Sequence, residues 1–379
     1  MNTALIVNTR LDSPAALERA LAARLRELLG SVDWLRGGDV ETLKAGTDRG
    51  FDLLAKLPLP TGGAAALCVE CKREMRPSTF PMLASRVFKP GGRPKVIVPV
   101  LALPWVSPRV AELCVEHGWS WFDLAGNCRI DVPGLLHLQH SGNAPVHERP
   151  RPTANLGTKE AGRIIRVLLL PAHAGKRWTQ RLLQERCEPL VSLGLVNKVV
   201  RHLRDEAFLE PSEGGFLVHD PLKLLHAWRD MYRFDQQERH GYFTLLKNWG
   251  LVKAVSQVFT KTSGQLLYAG FSAATIQAPN VRQPLTWLYV HRQQITLFEK
   301  TFEAKPVDSG ANVIVLIPQD DGVFANPDGG LLEDFPVACT CLPQTYVDLC
   351  HGGGRGQEAA EALLERRLKP VWKAAGLKV

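Results

Sequence analysis

The sequence predicts a multidomain chain of mixed α/β and α+β class, and three observations carry that prediction. Its 379 residues exceed one average domain. Short apolar strands alternate with amphipathic helices over residues 1–150 and again over 236–379, the mark of layered α/β or α+β domains. Between them, 151–235 is largely helical and ends in a single hairpin. The first boundary falls in "HSGNAPVHERPRPTANLG", whose Pro, Asn, Gly and charge read as a linker or exposed crossing.

In the first domain, Ser13 is placed to cap a helix with Pro14 in its first turn, and Leu17, Leu21, Leu25 and Leu28 line one side. "SVDWLRG" and "GFDLLAKL" follow as short strands, "LPTGG" as a turn and "AALCVEC" as the partner strand. A helix is expected near "TFPMLASRVF", then the buried strand "KVIVPVLAL". "SPRVAELCVEHG" reads as a helix with Ser107 as cap and Pro108 first, and "SWFDLAG" and "NCRIDV" as two more strands.

The middle segment carries three helix patterns. "TKEAGRIIRVLLLPAHAG" places Ile164, Ile165, Leu168 and Leu169 on one side. "WTQRLLQERCEP" is capped by Thr179 and stopped before Pro189. "SLGLVNKVVRHLRDEAFL" starts at Ser192. In this third helix Val196, Val199, Val200 and Leu203 form a buried stripe, and Asn197, Lys198, Arg201 and Arg204 occupy the other side, with Gly194 near the start. "FLEPSEGGFLV" is a hairpin around "SEGG". Helix, helix, turn, helix and hairpin is the order of a winged helix-turn-helix. Its third helix enters the major groove, where Asn and Arg meet base edges and Lys meets phosphates.

Charge agrees with that expectation. The chain has 46 Lys and Arg against 38 Asp and Glu, a formal +8. Residues 155–204 hold ten of the basic residues, Lys159, Arg163, Arg166, Lys176, Arg177, Arg181, Arg186, Lys198, Arg201 and Arg204. Their only acids are Glu160, Glu185 and Glu188, so the segment carries 10 − 3 = +7. Lys176, Arg177, Gly194, Asn197, Lys198, Arg201 and Arg204 are the expected DNA-binding set, and double-stranded DNA the expected partner.

After "LLHAWRDMYRF", a helix that closes the module, "LTWLYV" and "ANVIVLIP" read as strands and "GQEAAEALLERRLKPVW" as an amphipathic helix. "HGGGRG" before it lacks the GK[ST] of a phosphate loop and reads as a turn, although Arg355 at a helix start would suit an anion. The start "MNTALIVNTRLDSP" has no basic segment followed by an apolar core, and "VIVPVLALPWV" is too short to span a bilayer. A cytoplasmic protein without membrane association is expected. The eight cysteines then read as reduced. Cys68 and Cys71 form a CxxC on a predicted strand, where alternation sends them to opposite faces, so they read as core cysteines rather than a chelate.

Asp52, Glu70 and Lys72 form a separate constellation. Glu70 and Lys72 share a face by period two, and Asp52 on the preceding strand reaches the same edge. Two carboxylates, Asp52 and Glu70, can hold Mg²⁺ while Lys72 orients or activates a water, and Glu18 or Glu27 would complete the site. This D…ExK arrangement over residues 10–130 resembles the PD-(D/E)XK superfamily of restriction-endonuclease-like fold, with Phe51 in place of the proline. The resemblance implies a Mg²⁺-dependent endonuclease with Asp52, Glu70 and Lys72 as catalytic residues.

The segments "PVDSGANVIVLIP", "VFA", "TYVDL" and "GGGRGQEAAEALLE" carry Asp308, Gly310, Asn312, Val313, Tyr346, Asp348, Leu349, Gly354, Arg355, Glu358 and Ala359. With the helical module they make residues 155–375 resemble AbiEi-like regulators, the antitoxins of type IV toxin–antitoxin systems. That resemblance implies a DNA-binding repressor whose cognate toxin it counteracts without a stable complex. A homodimer on an inverted repeat is the geometry expected of such a reader. The leading expectation is therefore a DNA-binding regulator without enzymatic activity. The alternative is an endonuclease targeted by its winged helix.

Overall fold

The computed structural model describes residues 13–35, 39–42, 50–59, 63–88, 90, 94–145, 154–281, 283–332 and 334–379. The chain start, the tip of the predicted "LPTGG" turn and residues 146–153 of the predicted linker lie outside them. The architecture is mixed α/β and divides into two compact units, Met1–Arg151 and Pro152–Val379.

Unit one is a seven-stranded sheet in sequential order with helices on both faces. Its elements are α1 (Pro14–Gly30), β1 (Asp39–Thr42), β2 (Leu53–Pro58), β3 (Ala64–Cys71), α2 (Phe80–Ala84), β4 (Val96–Leu103), α3 (Pro108–Glu116), β5 (Ser120–Asp123), β6 (Cys128–Val132) and β7 (Leu136–His140). β1, β2 and β3 form an antiparallel meander. β3–β4 and β4–β5 are parallel, as the crossovers through α2 and α3 require, and β5, β6 and β7 close as a second meander.

Local chemistry explains the helices. The Ser13 hydroxyl accepts from the Ala16 N–H and the Ser107 hydroxyl from the Val110 N–H, each followed by proline. Leu17, Leu21, Leu25 and Leu29 of α1 are buried against Leu53, Ala55, Leu67, Val69, Val100 and Phe122, each large side chain contributing about 2 kcal/mol. The opposite face carries Phe80, Leu83, Val110 and Leu113 on Leu101, Leu103 and Trp121. Cys71 belongs to the α1 face and Cys68 to the other, as period two demands, and both thiols are buried.

Two element boundaries differ from expectation. The strand predicted at "SVDWLRG" is a 3-10 turn over Asp33–Leu35. Bonds from Val32 N–H to Leu29 O and from Leu35 N–H to Val32 O prolong the winding of α1, so the strand begins only at Asp39. The helix predicted over 79–88 stops at Ala84.

Unit two contains α4 (Lys159–Leu169), α5 (Gln180–Glu185), α6 (Leu193–Asp205), the hairpin β8 (Leu209–Ser212) and β9 (Gly215–Val218), and α7 (Pro221–Met231). It continues with β10 (Glu238–Phe243), α8 (Asn248–Lys261), β11 (Leu266–Tyr268), α9 (Gly270–Gln277), β12 (Thr286–Val290), α10 (Ile295–Phe302), β13 (Lys305–Pro306) and β14 (Val313–Ile317). The last elements are β15 (Asp328–Leu332), β16 (Phe335–Cys339), α11 (Leu342–His351) and α12 (Gly356–Leu363), which passes through a π turn into α13 (Lys369–Ala374). The strands from β10 onward form one mixed sheet of order β13-β10-β14-β12-β11-β16-β15.

Alternation along β12 and β14 assigns the layers of this sheet. Leu288, Val290, Val313 and Val315 pack with Val255, Phe298 and Phe302 of α8 and α10. Trp287, Tyr289, Ile314 and Leu316 face the other way and share one core with α9, α11 and α12. Ile164, Val199, Trp178 and Trp228 of the helical module belong to that same core, so module and sheet fold together.

Candidate nucleic-acid interface

The module is assembled by side-chain caps and one short bridge. Thr158, Thr179, Ser192 and Asp220 each accept from a backbone N–H in the first turn of α4, α5, α6 and α7. Trp178, just before α5, exchanges backbone hydrogen bonds with Phe216 in the hairpin, so the β8–β9 ribbon gains a third, one-residue rung. The hairpin is thereby held beside α6.

In α6 the stripe Val196, Val199, Val200 and Leu203 is fully buried, and Gly194, Asn197, Lys198 and Arg201 face solvent. The Asn197 amide donates to Gln180 Oε1 at 3.1 Å, which ties the exposed side of α6 to the first residue of α5. Arg177 and Arg181, on either side of Gln180, are also exposed. Among the described residues none of Arg177, Arg181, Lys198 and Arg201 has an acidic partner. An added Cβ at Gly194 would meet nothing within 4 Å, so the first turn of α6 is open to close approach.

Other basic residues are committed internally. The Lys176 ammonium lies 4.6 Å from the centroid of the Trp178 ring and the Arg204 guanidinium 5.2 Å from that of Phe216, so both brace the hairpin. Arg204 is half-buried, which separates it from the exposed group. Arg163 and Arg166 turn inward: Arg163 Nη2 lies 2.6 Å from Asp320 Oδ1 and Arg166 Nη2 3.1 Å from Oδ2. The surplus counted over 155–204 is therefore smaller at the surface, and its outward part concentrates around α5 and α6.

The sequence pattern located α6 and its polar side. It missed Gln180, whose pairing with Asn197 depends on how α5 and α6 cross. It also missed Asp320, which lies 154 residues beyond Arg166. Arg355 donates to both oxygens of Glu358 on α12, so it serves that helix start and not a bound anion.

The second constellation also assembles. Asp52 stands at the mouth of β2 and accepts from the Cys71 N–H at 2.7 Å, and Glu70, the penultimate residue of β3, is only 3% exposed. Lys72 Nζ lies 2.5 Å and Arg86 Nη1 2.9 Å from the same oxygen, Glu70 Oε1. Glu18 of α1 is close enough to be affected: burial raises its pKa, the Asp52 charge raises it further and Lys72 opposes both. Glu27 instead binds Arg24 on its own helix at 2.7 Å. Sequence reasoning missed Arg86, which sits just past the early end of α2.

Glu70 already has two cations on one oxygen, Asp52 is bound to backbone, and no group of three His, Cys, Asp or Glu among the described residues could hold a metal ion. No helix among the described residues is long and apolar enough to cross a membrane. Comparison with protein families, with curated proteins and with solved structures returns no match to this chain.

Proposed function

We propose that this protein is a DNA-binding regulator in which residues 159–231 act as a winged helix-turn-helix, α6 reads the major groove of double-stranded DNA, and β8–β9 is the wing. The observation that carries this reading is the exposed side of α6. Asn197, Lys198 and Arg201 are free of acidic partners and lie next to Arg177 and Arg181, while the opposite side of the helix is fully buried. Unpaired cations held on one rigid surface repel one another, and a polyanion relieves that repulsion. A helix presenting Asn and Arg can hydrogen-bond base edges, and Lys198 and the α5 arginines can meet phosphates. Two copies on an inverted repeat match a helix of this kind. The AbiEi-like resemblance extends the proposal to an antitoxin that represses its own operon.

Fluorescence anisotropy with the duplex upstream of the gene tests the reading. Arg201→Ala is expected to cost about 1–3 kcal/mol and to relax specificity, and Lys198→Ala to weaken all duplexes alike while lowering the salt slope by about 1. Unchanged affinity in both variants would remove α6 from the interface.

A second reading, an endonuclease, is favoured by one observation. Unit one follows the order helix, three-strand meander, helix, parallel strand, and brings Asp52, Glu70 and Lys72 to one sheet edge, the arrangement that the PD-(D/E)XK resemblance implies. The two cations on Glu70 favour the non-catalytic reading, in which this edge is a scaffold. Incubation of supercoiled DNA with Mg²⁺ separates the two. Cleavage lost in Glu70→Ala and Lys72→Ala with DNA binding retained would establish the endonuclease.

A further inference from the structure

Unit one has a cleft of about 660 Å³ on the α3 side of its sheet. Among the described residues, α3 packs over β4 and β5 on that face, and the cleft lies beside it over Arg129 of β6 and Gln139 of β7. The volume falls within the range of about 300–1,000 Å³ common to small-molecule sites. None of the DNA-binding or acid–lysine residues lines it.

Register builds the floor. Trp121 of β5 pairs with Arg129 of β6, and Arg129 with Gln139 of β7. Residues directly opposite in neighbouring strands point to one side, so an indole, a guanidinium and an amide lie in a row. Trp105, from the loop between β4 and α3, adds a second indole, and Ala111 and Val115 form the apolar wall.

The charges leave Arg129 available. Glu112, the one acid among the described residues lining the cleft, is 3.1 Å from Arg109 of its own helix. Asp131, two residues along β6, stands 3.7 Å from His137. Arg129 has no acidic partner among the described residues. Trp121 is 9% exposed, and its buried Nε1–H has no acceptor among the described residues. Aromatic surface, an open amide and an unpaired guanidinium within one cleft suit a flat heterocycle that carries an anion.

We infer that this cleft binds a nucleotide, with its base against Trp105 and Trp121 and its phosphate on Arg129. Gln139 is placed to read a base edge through its amide donor and acceptor. The shared chemistry fits a free nucleotide or one unstacked nucleotide of a single strand.

Isothermal titration of the full chain with AMP, CMP, ribose 5-phosphate and an oligothymidylate tests this. Variants Arg129→Ala and Trp105→Ala are compared with the exposed α8 variant Lys261→Ala after circular dichroism confirms their fold. The expected result is nucleotide binding that falls about tenfold or more without the base, in Arg129→Ala and in Trp105→Ala, and is unchanged in Lys261→Ala. Oligothymidylate binding with the same two losses, and no mononucleotide binding, would also support the cleft and identify its source as a strand. Absence of binding by any probe, or binding indifferent to Arg129→Ala, would overturn the inference. Arg129 and Arg201 belong to separate sites, so failure here is distinguishable from failure of the DNA-binding reading.

Discussion

Trp178 and Phe216 exchange two backbone hydrogen bonds, 2.7 Å from the Trp178 N–H and 2.9 Å from the Phe216 N–H. This bridge joins the start of α5 to the hairpin and leaves no room beside it. A Cβ at Gly215 would stand 2.1 Å from the Trp178 carbonyl oxygen. Gly215→Ala is therefore expected to detach the hairpin or strain it by about 1–3 kcal/mol. Chemical denaturation of the variant measures the loss, and an unchanged midpoint would show that the bridge tolerates displacement.

Gly194 offers the opposite case. Its position in α6 is open, so Gly194→Ala should stabilise the protein by up to about 1 kcal/mol through helix propensity. On the proposed reading the same methyl would face the DNA. Thermal unfolding and duplex anisotropy together should show a gain in stability with a loss of affinity. A gain in both would place Gly194 away from the interface.

Asp320 is 7% exposed and receives both Arg163 and Arg166. Breaking a buried charge pair costs about 3–5 kcal/mol, because the partner charges remain desolvated. Asp320→Ala should lose stability on that scale. The double variant Asp320→Ala with Arg166→Met should recover part of it, as measured by urea unfolding. No recovery would mean that the stranded Arg166 charge is not the source of the loss.

Asp348 sits beneath Tyr232 and Tyr289. Their hydroxyls and the Gln344 amide donate to Oδ1, yet burial outweighs these bonds and pushes the carboxyl up to about 7. A folded-state value above the unfolded one means that the native protein holds the proton more tightly. Its contribution to stability is then full below the ordinary carboxyl pKa and is lost as pH rises through about 7, with a slope of at most about 1.4 kcal/mol per unit. Asp348→Asn should flatten this part of the profile between pH 5 and 8. Retention of the full slope would assign it to other groups.

The helices with hydroxyl caps were legible because cap, proline and apolar stripe are local. Ser13, Ser107, Thr179 and Ser192 all cap as their spacing implies. The polar side of α6 was legible for the same reason, since period 3.6 separates Val196, Val199 and Val200 from Asn197, Lys198 and Arg201. Long-range pairings were not. Nothing near Arg163 or Arg166 announces Asp320, so two basic residues that the sequence placed in the charge surplus turn inward onto one carboxylate. Arg204 was read from the helix period as outward, but the hairpin folds back and Phe216 takes it. Arg86 reaches Glu70 because α2 ends early, and that boundary depends on tertiary contacts rather than on propensity.

Whether α6 holds DNA is decided by a binding titration in EDTA. The gene's own upstream duplex would be compared with a scrambled one at two salt concentrations, for the native chain and for Arg201→Ala. A DNA-reading α6 should give tighter binding to the upstream duplex, weakening with salt, and a loss of about 1–3 kcal/mol of that preference in the variant. Absence of binding to either duplex, or equal binding untouched by Arg201→Ala, would contradict it.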